Sequence, residues 1–212
     1  MTSLILIVAA YLLGSVPFGL IMAAAHGKDL RSIGSGNIGA TNVSRALGRK
    51  WAYCCFLLDV LKGLTPTLVA VLLMSSPPAI SQLLLTLAVG CAAILGHIFP
   101  VYIRFKGGKG VATSLGVALG LWPFYTVCAL LAFSVWVAVL MIWRYVSLAS
   151  IVASVAFPLT LLLAILLVPD WKLARLWPLL IAAVAIPIMV IIRHRQNIRR
   201  LIAGSEAKIS RH

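Results

Sequence analysis

Ten residues, Ile33-Gly34-Ser35-Gly36-Asn37-Ile38-Gly39-Ala40-Thr41-Asn42, form a small, polar, glycine-dense segment in a chain dominated by apolar side chains. Three glycines within six positions let a backbone turn tightly and aim N–H groups inward, a construction that wraps clusters of anionic oxygens. Ser35, Asn37, Thr41, Asn42 and Ser44 add side-chain donors, and Lys28, Arg31, Arg45, Arg49 and Lys50 flank them with positive charge. A second segment, Phe105-Lys106-Gly107-Gly108-Lys109-Gly110-Val111-Ala112-Thr113, again sets glycines between lysines, ahead of an apolar stretch. Both segments read as phosphate cradles. The plainer alternatives are a flexible connection for the first and an ordinary charged loop for the second.

Neither segment is a nucleotide motif. Gly34-x-Gly36-x-x-Gly39 matches the dinucleotide fingerprint only formally, because no strand precedes it and no βαβ unit surrounds it. Gly110 follows Lys109 where a Walker loop needs Ser or Thr, and Ile103 stands in place of its first glycine. Four further groups could take part in chemistry. Asp59 and Lys62 share one helical face inside an apolar run, either as an ion pair that orients nearby loops or as a direct ligand. His97, in Gly96-His97-Ile98-Phe99-Pro100, is a packing residue or a catalyst. Ser147 and Ser150 open another apolar run, where Ser147 suits a helix N-cap as well as a ligand. His194 and Asn197, three apart on the exit face of the last helix among four arginines, are interfacial anchors or part of an anion pocket.

The elements that must carry these residues are membrane helices. Mean hydropathy is +1.09, with 62% hydrophobic and 10% charged residues, outside the range of a soluble domain. Apolar runs lie at roughly 4–25, 52–74, 80–101, 124–143, 146–168 and 173–192, plus a short one at 111–121. Crossing the hydrocarbon core takes about 20 apolar residues, so residues 1–212 read as one all-α polytopic domain. The formal charge of +14 is spread over helix ends in the positive-inside pattern, which argues against a nucleic-acid partner. Cys54, Cys55, Cys91 and Cys128 sit in apolar runs without metal-ligand spacing and read as reduced core fillers. The first run reads as a retained span, although Ala23-Ala24-Ala25 leaves a cleavable leader open.

The charge rule places the N-terminus and the uncharged 75–79 turn outside, and the loops at 26–51 and 102–110 inside. The tail, with Arg193, Arg195, Arg199, Arg200, Lys208 and Arg211, also falls inside. Opposite ends need an odd number of crossings, and Trp122-Pro123 can split 111–142 to give seven. The eleven residues of 111–121 rise only about 16 Å, so the loop before them dips into the membrane and lines a polar pocket. Helices beginning near Trp51, Val111 and Tyr145 then aim their N-termini at the cytoplasmic face, where both glycine segments converge.

Together, the segments Gly34–Asn42 and Phe105–Thr113, Asp59-x-x-Lys62-Gly63, Gly96-His97-x-x-Pro100, Tyr145–Ser150 and His194-Arg195-x-Asn197-Ile198 resemble the bacterial acyl-phosphate:glycerol-3-phosphate acyltransferase family, over the full chain. The resemblance implies a seven-helix enzyme of the bacterial inner membrane, its active site facing the cytoplasm. Its reaction would acylate the 1-hydroxyl of sn-glycerol 3-phosphate from acyl phosphate, giving lysophosphatidic acid and phosphate, the first acylation of phospholipid synthesis. It implies membrane lipid as surroundings, no cofactor, no metal and no coenzyme A thioester. By similarity, Ser35, Arg45, Lys109, Ser147, His194 and Asn197 bind phosphate groups, with Ser35, Arg45, Lys109 and His194 as the candidate catalytic residues. Gly34, Gly36 and Gly39 would add backbone N–H groups, and Asn37, Thr41, Asn42 and Lys106 further substrate contacts. An acyl phosphate is already activated, so orientation and charge stabilisation suffice and no Ser-His-Asp set is needed. The hydroxyl proton could pass to a substrate phosphate or to His194. The alternative from another class is a transporter or flippase for an organic phosphate, against which stand the absence of an internal repeat and a one-sided site.

Overall fold

The computed structural model describes residues 2–75 and 78–209; Ser76 and Pro77 of the 75–79 turn and Arg211 of the tail lie outside the described residues. Every regular element described is helical: α1 (Thr2–Gly14), α2 (Phe18–Ala25), α3 (Ala40–Leu47), α4 (Arg49–Leu72), α5 (Ile80–Ile98), α6 (Val111–Gly120), α7 (Phe124–Trp143), α8 (Val146–Leu167), α9 (Leu173–Arg193) and α10 (Arg195–Ile202). Among the described residues, six segments are long and apolar enough to cross a bilayer: Thr2–Ala25, Arg49–Leu72, Ile80–Ile103, Phe124–Trp143, Val146–Leu167 and Leu173–Arg193. Large apolar side chains such as Leu72, Met141 and Leu166 point outward, more than 70% exposed, as lipid-facing residues do.

Trp122-Pro123 separates α6 from α7 as the sequence predicts. The single helix read over 4–25 is instead interrupted at Ser15–Pro17, since Pro17 has no N–H to continue the ladder. The buried Lys62 ammonium donates to the Val16 carbonyl at this break, at 2.9 Å. The 26–51 connection contains α3, whose buried Asn42, Val43 and Ala46 pack it down against the bundle. Pro66, Pro158, Pro178 and Pro187 are all held inside helices. In a bundle, neighbouring helices and Ser/Thr side chains can take up freed carbonyls, and proline is tolerated there.

The ten-residue α6 rises only about 15 Å and is held by close backbone contact with α4. A Cβ on Gly116 would stand 1.9 Å from the Val60 carbonyl oxygen, and one on Gly63 would stand 2.3 Å from that of Thr113. Small residues at such crossings let membrane helices approach closely enough for strong van der Waals packing. This contact fixes the start of α6, and with it the Lys109 loop.

Candidate functional site

One cavity of about 850 Å³ runs through this end of the bundle. Its polar end collects Ser35, Asn37, Arg45, Lys109, Ser147, His194 and Asn197 from four separate stretches of chain. Its other end is an apolar slot between α6, α7 and α8, walled by Leu115, Ala129, Ala132, Phe133 and Phe157. Gly39, Thr41 and Asn42 also reach the wall of this cavity. Gly34, Gly36 and Lys106 do not; Gly36 and Lys106 face a smaller recess of about 310 Å³.

Asn42 holds the first loop in shape. Its buried amide donates to the carbonyls of Leu30 (2.9 Å) and Ile33 (3.0 Å), and its Oδ1 accepts from the Ser35 N–H (3.1 Å). The expected roles of the Gly36 and Gly39 N–H groups are therefore corrected. The Gly36 N–H bonds to Ile33 O at 3.0 Å and the Gly39 N–H to Asn37 Oδ1 at 3.0 Å, so the loop consumes donors assigned to an anion. Gly34, with φ +56°, is required for another reason: a Cβ there would stand 2.5 Å from Asn42 Oδ1. The cation this segment brings to the cavity is Arg45, which forms no ion pair among the described residues.

The second loop is pressed between a histidine and an arginine. The Gly108 N–H donates to His97 O at 3.0 Å, while Arg193 donates to the carbonyls of Gly107 (3.3 Å) and Gly108 (3.2 Å). A Cβ on Gly108 would stand 2.1 Å from His97 Nε2. Behind His97, Asp59 pairs with Lys62 at 2.7 Å and lies 3.6 Å from His97 Nδ1, an electrostatic contact longer than a hydrogen bond. Asp59 and Lys62 form an ion pair: Lys62 turns away toward the α1–α2 break, Asp59 lies beside the residue that supports the loop, and Asp59 and His97 both reach the cavity wall.

The third stretch is a hydrogen-bonded array centred on a carboxylate that sequence reasoning passed over. Lys109 Nζ donates to Asn197 Oδ1 at 2.6 Å, and Asn197 Nδ2 donates to Glu206 Oε1 at 2.6 Å. Ser147 Oγ donates to the same oxygen at 2.7 Å, and Arg200 Nε to Glu206 Oε2 at 2.7 Å. Burial works against ionisation of Glu206, but the hydrogen bonds from Asn197, Ser147 and Arg200 outweigh it and hold its carboxyl below the usual range. The tail that delivers Glu206 is pinned where Ile209 N–H bonds Arg144 O at 3.0 Å and Lys208 lies over the Tyr145 ring. An isolated acid in a basic tail was the only signal available in the sequence.

Ser147 is not the N-cap; Tyr145 holds that position, with no side-chain cap. Ser150 spends its hydroxyl on Val146 O and on Trp136 Nε1. His194 and Asn197 do not share one helix, because α9 ends at Arg193 and α10 begins at Arg195, yet both are buried at the junction. His194 Nδ1 lies 2.8 Å from Val190 O and so carries the ring proton, leaving Nε2 as an acceptor. Burial, with the nearby Lys109 charge, pushes its pKa down to about 4, so the ring is neutral. Burial likewise lowers Lys109 to about 8, against the pull of Glu206 and with Arg200, Arg45 and Arg193 adding to the fall. Among the described residues no group of three or more His, Cys, Asp or Glu side chains forms a metal-ligand set.

The site is thus a cation-lined polar end continuous with an apolar slot. The sequence model of the family described as glycerol-3-phosphate acyltransferase matches residues 4–204. A glycerol-3-phosphate acyltransferase of Geotalea daltonii is 46% identical over 207 residues, covering 97% of each chain. One from Aquifex aeolicus is 46% identical over 206 residues, covering 97% of this chain and 98% of that protein. Among solved structures, the glycerol 3-phosphate form of PlsY (YgiH), an integral membrane glycerol 3-phosphate acyltransferase, superposes with a TM-score of 0.86 at 43% identity, over 99% of this chain and 96% of that one. Its lysophosphatidic acid form gives 0.83 at 42% identity, with the same coverage.

Proposed function

The chain belongs to the glycerol-3-phosphate acyltransferase family, and from that premise we propose that it draws the acyl group from an acyl phosphate and esterifies the 1-hydroxyl of sn-glycerol 3-phosphate. Lysophosphatidic acid and inorganic phosphate are the products. The observation that carries this reading is the continuity of the cavity: cationic and polar side chains at one end suit a phosphate, and the apolar slot at the other suits a fatty chain.

Arg45 and Lys109 offset the charge of the phosphates, Ser35 and Asn197 donate hydrogen bonds to them, and Ser147, whose hydroxyl donates to Glu206, holds that array in place. The acceptor oxygen attacks the acyl carbonyl carbon, the bond from that carbon to the phosphate oxygen breaks, and its electron pair leaves with phosphate. Holding both reactants in one cavity turns a bimolecular step into an effectively unimolecular one. Fixed cations beside the departing phosphate stabilise the charge it gains. The hydroxyl proton goes to a substrate phosphate oxygen. A ring with a pKa of about 4 is a weak base near neutral pH, so His194 serves as a hydrogen-bond acceptor instead.

We place the polar end of the cavity at the cytoplasmic face of the bacterial inner membrane, with α6 as a short seventh crossing. The clustering of Arg45, Lys109, Arg193 and Arg200 about this end supports that orientation. The function is tested by phosphate release from purified protein: phosphate and lysophosphatidic acid should form one for one, and only when both substrates are present. Phosphate release without glycerol 3-phosphate at the same rate would mean that the cavity hydrolyses the donor and does not transfer it.

A further inference from the structure

Beside the reaction cavity, the recess of about 310 Å³ brings Arg31, Lys106 and Arg193 together with Ser35, Asn37 and Gln196. The two glycine loops form its walls, and Arg31 ties them by donating to the Lys106 carbonyl at 3.2 Å. No Asp or Glu lines it, and none of its three cations takes part in an ion pair among the described residues. Ser35 and Asn37 line both spaces, so the recess adjoins the reaction cavity at the first loop.

Three like charges gathered without a counter-charge repel one another, and a bound dianion relieves that repulsion. The recess is polar, and unlike the main cavity it has no apolar slot leading from it. We propose that it is an outer phosphate-binding site, through which the water-soluble phosphates of the reaction pass between solvent and the cavity. Its ligand is a small phosphate dianion: glycerol 3-phosphate on the way in, or inorganic phosphate on the way out. This rests on the acyl-transfer reading above, in which the fatty donor is anchored in the apolar slot. Clustered charge of one sign raises local ligand concentration and association rate by about 10- to 1000-fold, an effect that salt removes.

The experiment measures initial rates with the full chain and palmitoyl phosphate as donor, in about 0.01 M and about 0.15 M salt, where the Debye length falls from about 30 to about 8 Å. Gln196→Glu adds a carboxylate to the wall while removing no hydrogen bond, because the exposed Gln196 side chain makes none among the described residues. Arg31→Gln with Lys106→Gln removes two cations, and Lys172→Gln, beyond the far end of the bundle at the start of α9, is the control. At low salt, KM for glycerol 3-phosphate should rise about 3- to 10-fold in the first two variants and converge on the parent at high salt, with KM for palmitoyl phosphate steady. That result assigns the inbound route. A several-fold rise in the inhibition constant of added phosphate, with KM for glycerol 3-phosphate steady, assigns the outbound one. If both quantities stay at parental values, or if KM for the donor rises in parallel, the site does not exist as a separate one. Failure of the acyl-transfer reading would show first in the parent protein, as no lysophosphatidic acid formed. Calorimetric binding of inorganic phosphate to the parent, weakened in Gln196→Glu, would still report on the recess.

Discussion

Lys109 gives the most quantitative expectation. Its ammonium has a pKa of about 8 because burial and three arginines outweigh the pull of Glu206. A phosphate dianion beside it favours the charged form, so the pKa in the complex is higher than in the free enzyme. Linkage then fixes the sign: binding is strongest below the free-enzyme pKa and weakens as pH rises through it. The ligand adds no titration of its own there, since phosphate monoesters lose their second proton near pH 6. Neutral His194, with its pKa of about 4, adds none either. Between about pH 7 and about pH 9, one proton lost from a group of pKa near 8 weakens binding about tenfold, or about 1.4 kcal/mol. The assay is direct binding of glycerol 3-phosphate by calorimetry across that range, beside Lys109→Arg, whose guanidinium stays charged throughout. The arginine variant binds with a different absolute affinity, yet its profile should be flat. A flat wild-type profile, or the same decline in Lys109→Arg, refutes the assignment of this lysine to the phosphate.

Glu206→Gln keeps the size of the side chain but loses the charge that Asn197, Ser147 and Arg200 converge on; losing one charge-assisted bond costs about 1.5–3 kcal/mol, read as a lower thermal midpoint in detergent together with a higher KM for glycerol 3-phosphate. Arg45→Ala should cut kcat/KM at least about tenfold, the effect of one lost charge-assisted contact, whereas Lys50→Ala, exposed and not part of the cavity wall, should change it less than about twofold. Ala132→Phe fills part of the apolar slot; overpacking of about 1–3 kcal/mol should be visible in stability, and the preferred donor should shift to shorter acyl phosphates when chain lengths are compared.

The helices were legible because each needs only local information: a long apolar run, ended by a Trp-Pro pair at 122–123 or by a basic cluster. What escaped was non-local or a matter of degree. Pro17 interrupts a helix where Pro66, Pro158, Pro178 and Pro187 do not, and only the surrounding packing separates the cases. α3 is a short helix inside what composition shows only as a polar connection. Most residues at the polar end of the cavity stand in readable motifs, but their division of labour is not written there. Asn42 and the Gly36 and Gly39 N–H groups have a ligand's chemistry, yet the loop itself uses them. Glu206 enters the site only because the tail folds back onto Arg144, and no sequence spacing encodes that return. Transport and acyl transfer likewise ask for similar loops, and family membership decides between them.

The identity of the acyl donor is the central claim, and one comparison tests it. The basic polar end suits a compact phosphate. No histidine among His26, His97 and His194 is followed five positions on by the aspartate that soluble-type acyltransferases pair with it; Arg31, Tyr102 and Arg199 stand there instead. Purified protein is given glycerol 3-phosphate with either palmitoyl phosphate or palmitoyl coenzyme A at equal concentration, and lysophosphatidic acid is measured. Lysophosphatidic acid should form rapidly from the acyl phosphate, with little or none from the thioester. Comparable turnover with palmitoyl coenzyme A would contradict that claim.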